Sequence, residues 1–227
     1  MKCHNPVVDW PLLDLVPEED RRRFLSVARR RRFDKGEVVF HGGDPGDTLH
    51  FVASGRFCVR VETSLGVTAM LALIGPGDYF GILALLDGAR PQRSAGIVAL
   101  ERAETLSVRK DEFEELRRRF PAVNEMLLKA LGDQVRRLSE SLVEAMYTPV
   151  EVRVLRRLLD AAALWDGPAP GSVVPLTQED LAGLAGTTRP TTNKVLRQAE
   201  ERGWLRVGRG RVELVDPDAL ARRAERY

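Results

Sequence analysis

The sequence predicts an α+β chain: an N-terminal antiparallel β-roll, a long helix, and a C-terminal winged helix-turn-helix. Three observations carry that prediction. From Val38 to about Val108, runs such as "EVVF", "TLHFVASGRFCVRVET" and "SAGIVALERAETLSV" alternate apolar and polar residues between Gly, Asp and Pro turns, as antiparallel strands do. Beyond them Val123, Leu127, Ala130, Leu131, Val135, Leu138, Leu142 and Ala145 recur at spacings of three and four, the apolar stripe of one helix. Last, "PLTQEDLAGLAGTTRPTTNKVLRQAEERGWLRV" sets a short helix, a Gly turn and a longer helix in succession.

The bounds agree with a two-domain chain. At 227 residues there is room for a medium domain and a small one, and 35 Lys+Arg against 33 Asp+Glu leaves the whole nearly neutral. No run approaches the roughly 18 apolar residues of a membrane span, and "MKCHNPVVDWPLL" lacks the apolar centre of a secretory signal. Those readings predict a cytoplasmic chain with no membrane partner.

Metal and catalytic chemistry find little support. Cys3 and Cys58 cannot supply the four thiolates of an iron-sulfur cluster, and His4, His41 and His50 form no His-x-His pair. We therefore expect no metal site, no catalytic residue and no enzyme. His41 and His50 read as turn and strand residues, and Cys58 in "RFCVRV" as a strand residue.

The helices follow from charge and punctuation. "RKDEFEELRRRFP" opens with acids, ends with bases and stops at Pro121, matching the helix dipole. The seven arginines of "RRRFLSVARRRR", preceded by Glu18, Glu19 and Asp20, read the same way, as one solvated helix. At about 25 residues and 1.5 Å each, the striped helix outruns a small β domain, so its apolar face is expected to pair with a second copy in a homodimer. Pro149 then marks a hinge. The expected division is 1–120 for the β-roll, 121–148 for the dimerisation helix and hinge, and 149–227 for the last domain.

That last domain carries the chemistry. Thr177 and Asp180 resemble a capping box that opens a short helix through Ala185, Gly186 breaks it, and Thr188 caps a second helix with Pro190 in its first turn. In such a motif the second helix enters a DNA major groove by its N-terminal residues. Here those are Thr188, Arg189, Thr191, Thr192, Asn193 and Lys194, with Thr177 and Gln178 at the start of the first helix. Arg pairs bidentately with guanine, Asn with adenine, and Thr hydroxyls reach phosphates or bases. From 187 to 211 seven bases stand against two acids, a local net of +5 in a nearly neutral chain. "WLRVGRGRVELV" reads as a wing, strand, turn and strand, with Arg209 at its tip.

With these parts in this order, the sequence resembles the Crp-Fnr family of bacterial transcription regulators over essentially its whole length. The "PGD" turns, the "GDYFG" segment and "EDLAGLAGTTRPTTNKVL" carry the resemblance. It implies a cyclic-nucleotide-binding-like jelly roll, double-stranded DNA as partner, and RNA polymerase as a further candidate partner. In the family's cyclic-AMP binders a Gly-Glu-Leu segment, followed about ten residues later by Arg-Ser, holds ribose and phosphate, and a Thr-Ser pair on the long helix reads the adenine. This chain has Gly81, Ile82 and Leu83 for the first element, Arg93 and Ser94 for the second, and Leu138 and Ser139 for the third.

Isoleucine cannot accept the ribose hydroxyl, a loss of about 1 to 3 kcal/mol and so roughly ten- to hundredfold in affinity. Cyclic AMP dependence is accordingly expected to be weak, altered or absent. A different small ligand and a purely structural β domain are the alternatives. Pro190 also stands where the best-known members have a Glu that accepts from cytosine, which predicts a pseudo-palindromic site unlike the family's commonest consensus.

Overall fold

In the computed structural model, described over residues 8–62, 68–88 and 91–225, strands follow turns in the order that the period-2 segments predict. Cys3 and His4 lie outside the described residues. After a 3-10 turn at Pro11–Leu13 come α1 (Glu18–Ser26), β1 (Arg29–Phe33), β2 (Val38–Phe40), β3 (Thr48–Ser54), β4 (Phe57–Glu62), β5 (Thr68–Ile74) and β6 (Tyr79–Phe80). Helix α2 (Ile82–Leu86), β7 (Gly96–Ala99), β8 (Ala103–Arg109) and α3 (Lys110–Arg119) follow. The strands form two four-stranded sheets, β1-β8-β3-β6 and β2-β7-β4-β5, with antiparallel pairing.

The alternation of β3 shows why the sheets curl around a core. Leu49 and Phe51 point to one side, where Trp10, Leu13, Phe24, Phe113, Val123 and Leu127 cover them. Val52 points to the other, into a cluster with Phe33 and Phe80 of its own sheet and Phe57, Ile74 and Ile97 of the facing one. Period 2 in the sequence thus becomes two apolar layers, one between the sheets and one beneath the helices.

The arginine run departs from the single helix expected for it. Only Arg21–Arg23 lie on α1, whereas Arg29–Arg32 form the edge strand β1, paired to β8. Phe33 pulls the segment into the sheet by burying its ring, and Glu104 opposite accepts from both Arg30 and Arg32. Four consecutive cations hide a strand because the apolar half of the alternation is missing.

Helix α4 (Ala122–Tyr147) then runs 26 residues. Its stripe has two fates. Val123 and Leu127 are buried in the layer beneath the roll, while Leu128, Val135, Leu138, Leu142, Val143, Met146 and Tyr147 stand exposed. Pro149 caps the next helix, α5 (Val150–Leu164).

The rest is α5, β9 (Val173–Val174), α6 (Gln178–Leu184), α7 (Arg189–Glu201), β10 (Leu205–Gly208), β11 (Arg211–Leu214) and α8 (Pro217–Ala224). The three strands form a sheet in the order β10-β11-β9. Leu155, Leu158, Leu181, Leu196, Leu205, Leu214 and Leu220 are fully buried and form the core of this part. Two compact units divide the chain, the first taking in residues up to 62 and 72–135, the second residues 63–71 and 136 onward.

One side chain ties the junction of α4 and α5 to the helix-turn-helix. The Arg153 guanidinium donates to the carbonyls of Thr148 at 2.9 Å and Ala145 at 3.4 Å, and to those of Ala185 at 3.0 Å and Gly186 at 3.4 Å. Helix ends leave carbonyls without intrahelical partners, and one arginine collects those of two ends.

Candidate nucleic-acid interface and effector pocket

The geometry of the motif follows from its caps. Thr177 Oγ1 accepts from the Asp180 amide at 3.1 Å and the Asp180 carboxylate accepts from the Thr177 amide at 3.0 Å, the reciprocal box that the sequence suggests. Gly186 takes a φ of +59°, which turns the chain, and Thr188 caps α7, its hydroxyl accepting from the Thr191 amide at 3.4 Å and lying 3.0 Å from the Thr191 hydroxyl. Pro190 occupies the first turn of α7, where its missing N–H costs nothing.

These caps set the exposed face of α7. Arg189 and Lys194 are exposed, Thr191 and Asn193 half-buried, and Arg209 is exposed in the turn between β10 and β11. Thr192 requires a correction. It is fully buried against the core of the second unit, so it supports the helix rather than reaching DNA. The period of 3.6 turns position 192 inward while 189, 193 and 194 stay outward. Arg197, which the sequence shows only as one of several bases, shares that outward face and donates from Nε to Asn193 Oδ1 at 3.0 Å. Asn193 Nδ2 in turn donates to Gln178 Oε1 at 2.9 Å.

In the first unit, the residues of the nucleotide-type segment gather around a buried cation. Gly81 caps α2 with a φ of +92°, Ile82 begins that helix and packs on the apolar layer, and Leu83 is exposed. Arg93 is buried, 5% exposed, and its Nη1 donates to the Thr48 carbonyl at 2.8 Å and the Gly81 carbonyl at 3.3 Å. Nη2 donates to Thr48 Oγ1 at 2.7 Å, the Phe40 ring lies 4.1 Å from the guanidinium carbon, and Nε has no partner. Burial pushes the Arg93 guanidinium below its ordinary value, with Asp47 and Asp44 opposing that shift. Ser94 is exposed beside it, and Leu138 and Ser139 lie on the exposed part of α4.

The sequence gives no hint of what lines the inner wall. His50, 3% exposed, meets Thr105 Oγ1 at 3.1 Å and Thr48 Oγ1 at 3.4 Å and stacks on Phe80 at 5.0 Å with the rings 8° apart. Desolvation first, then the charges of Arg93 and Arg31, push its pKa down to about 3, so it is neutral at pH 7. A lone His inside a strand run looks like any core residue, and only the fold brings it to Arg93. Among the described residues no group of three His, Cys, Asp or Glu side chains is placed to hold a metal ion.

Comparison with known proteins agrees with both halves. Residues 30–120 match the cyclic nucleotide-binding domain family and residues 152–223 the Crp-like helix-turn-helix domain family. A CRP-like cAMP-activated global transcriptional regulator of Mycobacterium tuberculosis is 34% identical over 195 residues, 85% of this chain and 86% of that protein. The chain belongs to the Crp-Fnr family of transcription regulators. A cyclic AMP receptor protein of Thermus thermophilus is 34% identical over 204 residues, covering 90% of this chain and 92% of its own. The crystal structure of a Thermus thermophilus catabolite activator protein covers 94% of this chain and 98% of its own, at 33% identity and a TM-score of 0.55. This Crp-Fnr chain thus pairs a DNA-binding helix-turn-helix with a cyclic-nucleotide-type β-roll, and its relatives are transcription regulators rather than enzymes.

Proposed function

We propose that this Crp-Fnr regulator acts in the cytoplasm as a homodimer, pairing along α4 and placing one α7 in each of two successive major grooves, about 34 Å apart. Arg189 and Lys194 supply the reading face, Thr188 and Thr191 reach the flanking backbone, and Arg209 contacts phosphate from the wing. The division of labour is 1–120 for the effector-type roll, 121–148 for dimerisation and hinge, and 149–227 for DNA. RNA polymerase is the partner through which a bound dimer would act.

We further infer that high-affinity cyclic AMP is not required. The observation that carries this is Arg93: its Nη groups are already spent on Thr48 and Gly81, and Ile82 offers a ribose no acceptor. A randomised duplex library at fixed salt, selected with and without cyclic AMP, tests the reading. The same palindrome enriched in both arms supports it, and enrichment only with the nucleotide overturns it.

A second reading keeps the pocket as a sensor for another small anion. The unpartnered Nε of the buried Arg93 favours it, since a phosphate or carboxylate oxygen is what that N–H lacks. Differential scanning of the protein against a panel of nucleotides and carboxylates checks it: a rise in Tm that Arg93→Lys abolishes supports this sensor.

A further inference from the structure

The hydrogen bonds on the reading face have a polarity, and Arg197 sets it. Arginine only donates, so the group that its Nε meets 3.0 Å away must be the Asn193 carbonyl oxygen Oδ1. Nδ2 of Asn193 therefore faces Gln178, and a donor there requires the Gln178 carbonyl, Oε1, at 2.9 Å. The chain of donors runs Arg197 to Asn193 to Gln178, across from α7 to α6. It leaves Gln178 Nε2, and Nη1 and Nη2 of Arg197, without partners among the described residues.

At about 100° per residue Arg189, Asn193 and Arg197 advance by only about 40° each, so all three share one face of α7. Asn193 has both functional atoms of its amide committed to protein neighbours, whereas an adenine pairing needs a carbonyl and an N–H presented together to one base edge. Arg197 has the opposite character. Held by Nε, its guanidinium plane is fixed while its terminal fork stays open, the arrangement that meets guanine O6 and N7 bidentately. A phosphate takes the same fork bidentately, so a base contact is told from a phosphate contact by base preference, which the selection below reads.

We propose that Arg197 is a further specificity-determining residue of this DNA-binding helix, reading a guanine, and that Asn193 is the positioning residue that aims it. The proposal rests on the DNA-reading function above. The test is a randomised duplex selection on the full-length wild type and on Arg197→Ala, Asn193→Ala and Asn193→Asp, read as relative base preference at each position of the half-site.

Arg197→Ala and Asn193→Ala should both flatten a guanine preference at the same base pair, by about tenfold. Asn193→Asp keeps an acceptor for Arg197 and should keep that preference, while binding all sequences more weakly because a carboxylate faces phosphate. Three results overturn the proposal. Asn193→Ala flattens a position that Arg197→Ala leaves alone, or Asn193→Asp erases the preference as completely as Asn193→Ala. Otherwise Arg197→Ala would weaken every duplex equally and lower the salt dependence, the signature of a phosphate contact. A wild type that enriches no motif would instead sink the DNA-reading function, and this proposal with it.

Discussion

Arg93 holds Thr48 twice, through Nη1 to its carbonyl at 2.8 Å and through Nη2 to its hydroxyl at 2.7 Å. A guanidinium anchored on β3 is poorly placed to receive a phosphate, because the incoming anion must displace bonds already made in a desolvated site. With Ile82 beside it, two of the groups that a cyclic nucleotide would use are withdrawn.

Restoring the acid should therefore restore affinity. Ile82→Glu supplies a ribose acceptor worth about 1 to 3 kcal/mol, so it should bind cyclic AMP roughly ten- to hundredfold more tightly than wild type by titration calorimetry. Equal affinities would mean that the ribose is not held from position 82.

Gly81 is fixed by two constraints at once. Its φ is +92°, and a Cβ there would lie 2.5 Å from Arg93 Nη1 and 2.8 Å from the Thr48 carbonyl oxygen. Gly81→Ala should lower unfolding stability by about 2 kcal/mol or more, since the left-handed conformation alone costs about 1 to 2 kcal/mol. Denaturant titration reads the loss, and a change below about 0.5 kcal/mol would show that the cap and Arg93 yield without strain.

His50 makes the first unit sensitive to acid. Its folded pKa, about 3, lies below the ordinary value of 6.5, so between those values the unfolded chain binds the extra proton and stability rises with pH. The contribution is complete above about pH 6.5 and is lost as pH falls toward 3. Going from pH 7.5 to pH 5 should cost wild type about 2 kcal/mol more than His50→Gln, at 1.36 kcal/mol per pH unit below 6.5. Parallel losses in the two proteins would remove His50 as the cause.

Where the sequence spoke clearly, one residue type served one local rule. The Thr177 and Asp180 box, the Gly186 break and the Thr188 cap were legible because capping is a contact within three residues. The roll was legible by alternation, except at β1, where arginines fill the positions that apolar residues would mark. The burial of Thr192 and the aim of Arg197 were not, because both depend on which side of α7 the core lies. The meeting of Arg93 with Thr48 joins residues 45 apart, and no local pattern reports it.

Arg153 is expected to act as a staple. It satisfies carbonyls of Thr148 and Ala145 on one side and of Ala185 and Gly186 on the other. Arg153→Ala should cost about 2 kcal/mol, the range for hydrogen bonds from a charged donor, and Arg153→Lys should recover less than half because an ammonium cannot span four acceptors. Hydrogen exchange should speed up at the turn around Gly186 in both variants. Unchanged exchange there would confine the role of Arg153 to the end of α4.

The exposed end of α4 gives the most consequential expectation. Leu138 and Leu142, 55% and 62% exposed, are four apart and lie near Val135 on the same side, an apolar surface that water should not be left to cover. Against a second copy, each buried leucine contributes about 1.5 to 3 kcal/mol, and a charge in its place would face its own symmetry mate. Leu142→Glu should therefore sediment as a monomer at concentrations where wild type is dimeric. Its affinity for a duplex bearing two half-sites should fall about hundredfold as avidity is lost, while a single half-site is bound as before. Glu140→Gln, on the other side of the same turn, should change neither reading. A Leu142→Glu protein that remains dimeric and binds the full site unchanged would move the interface off α4 altogether.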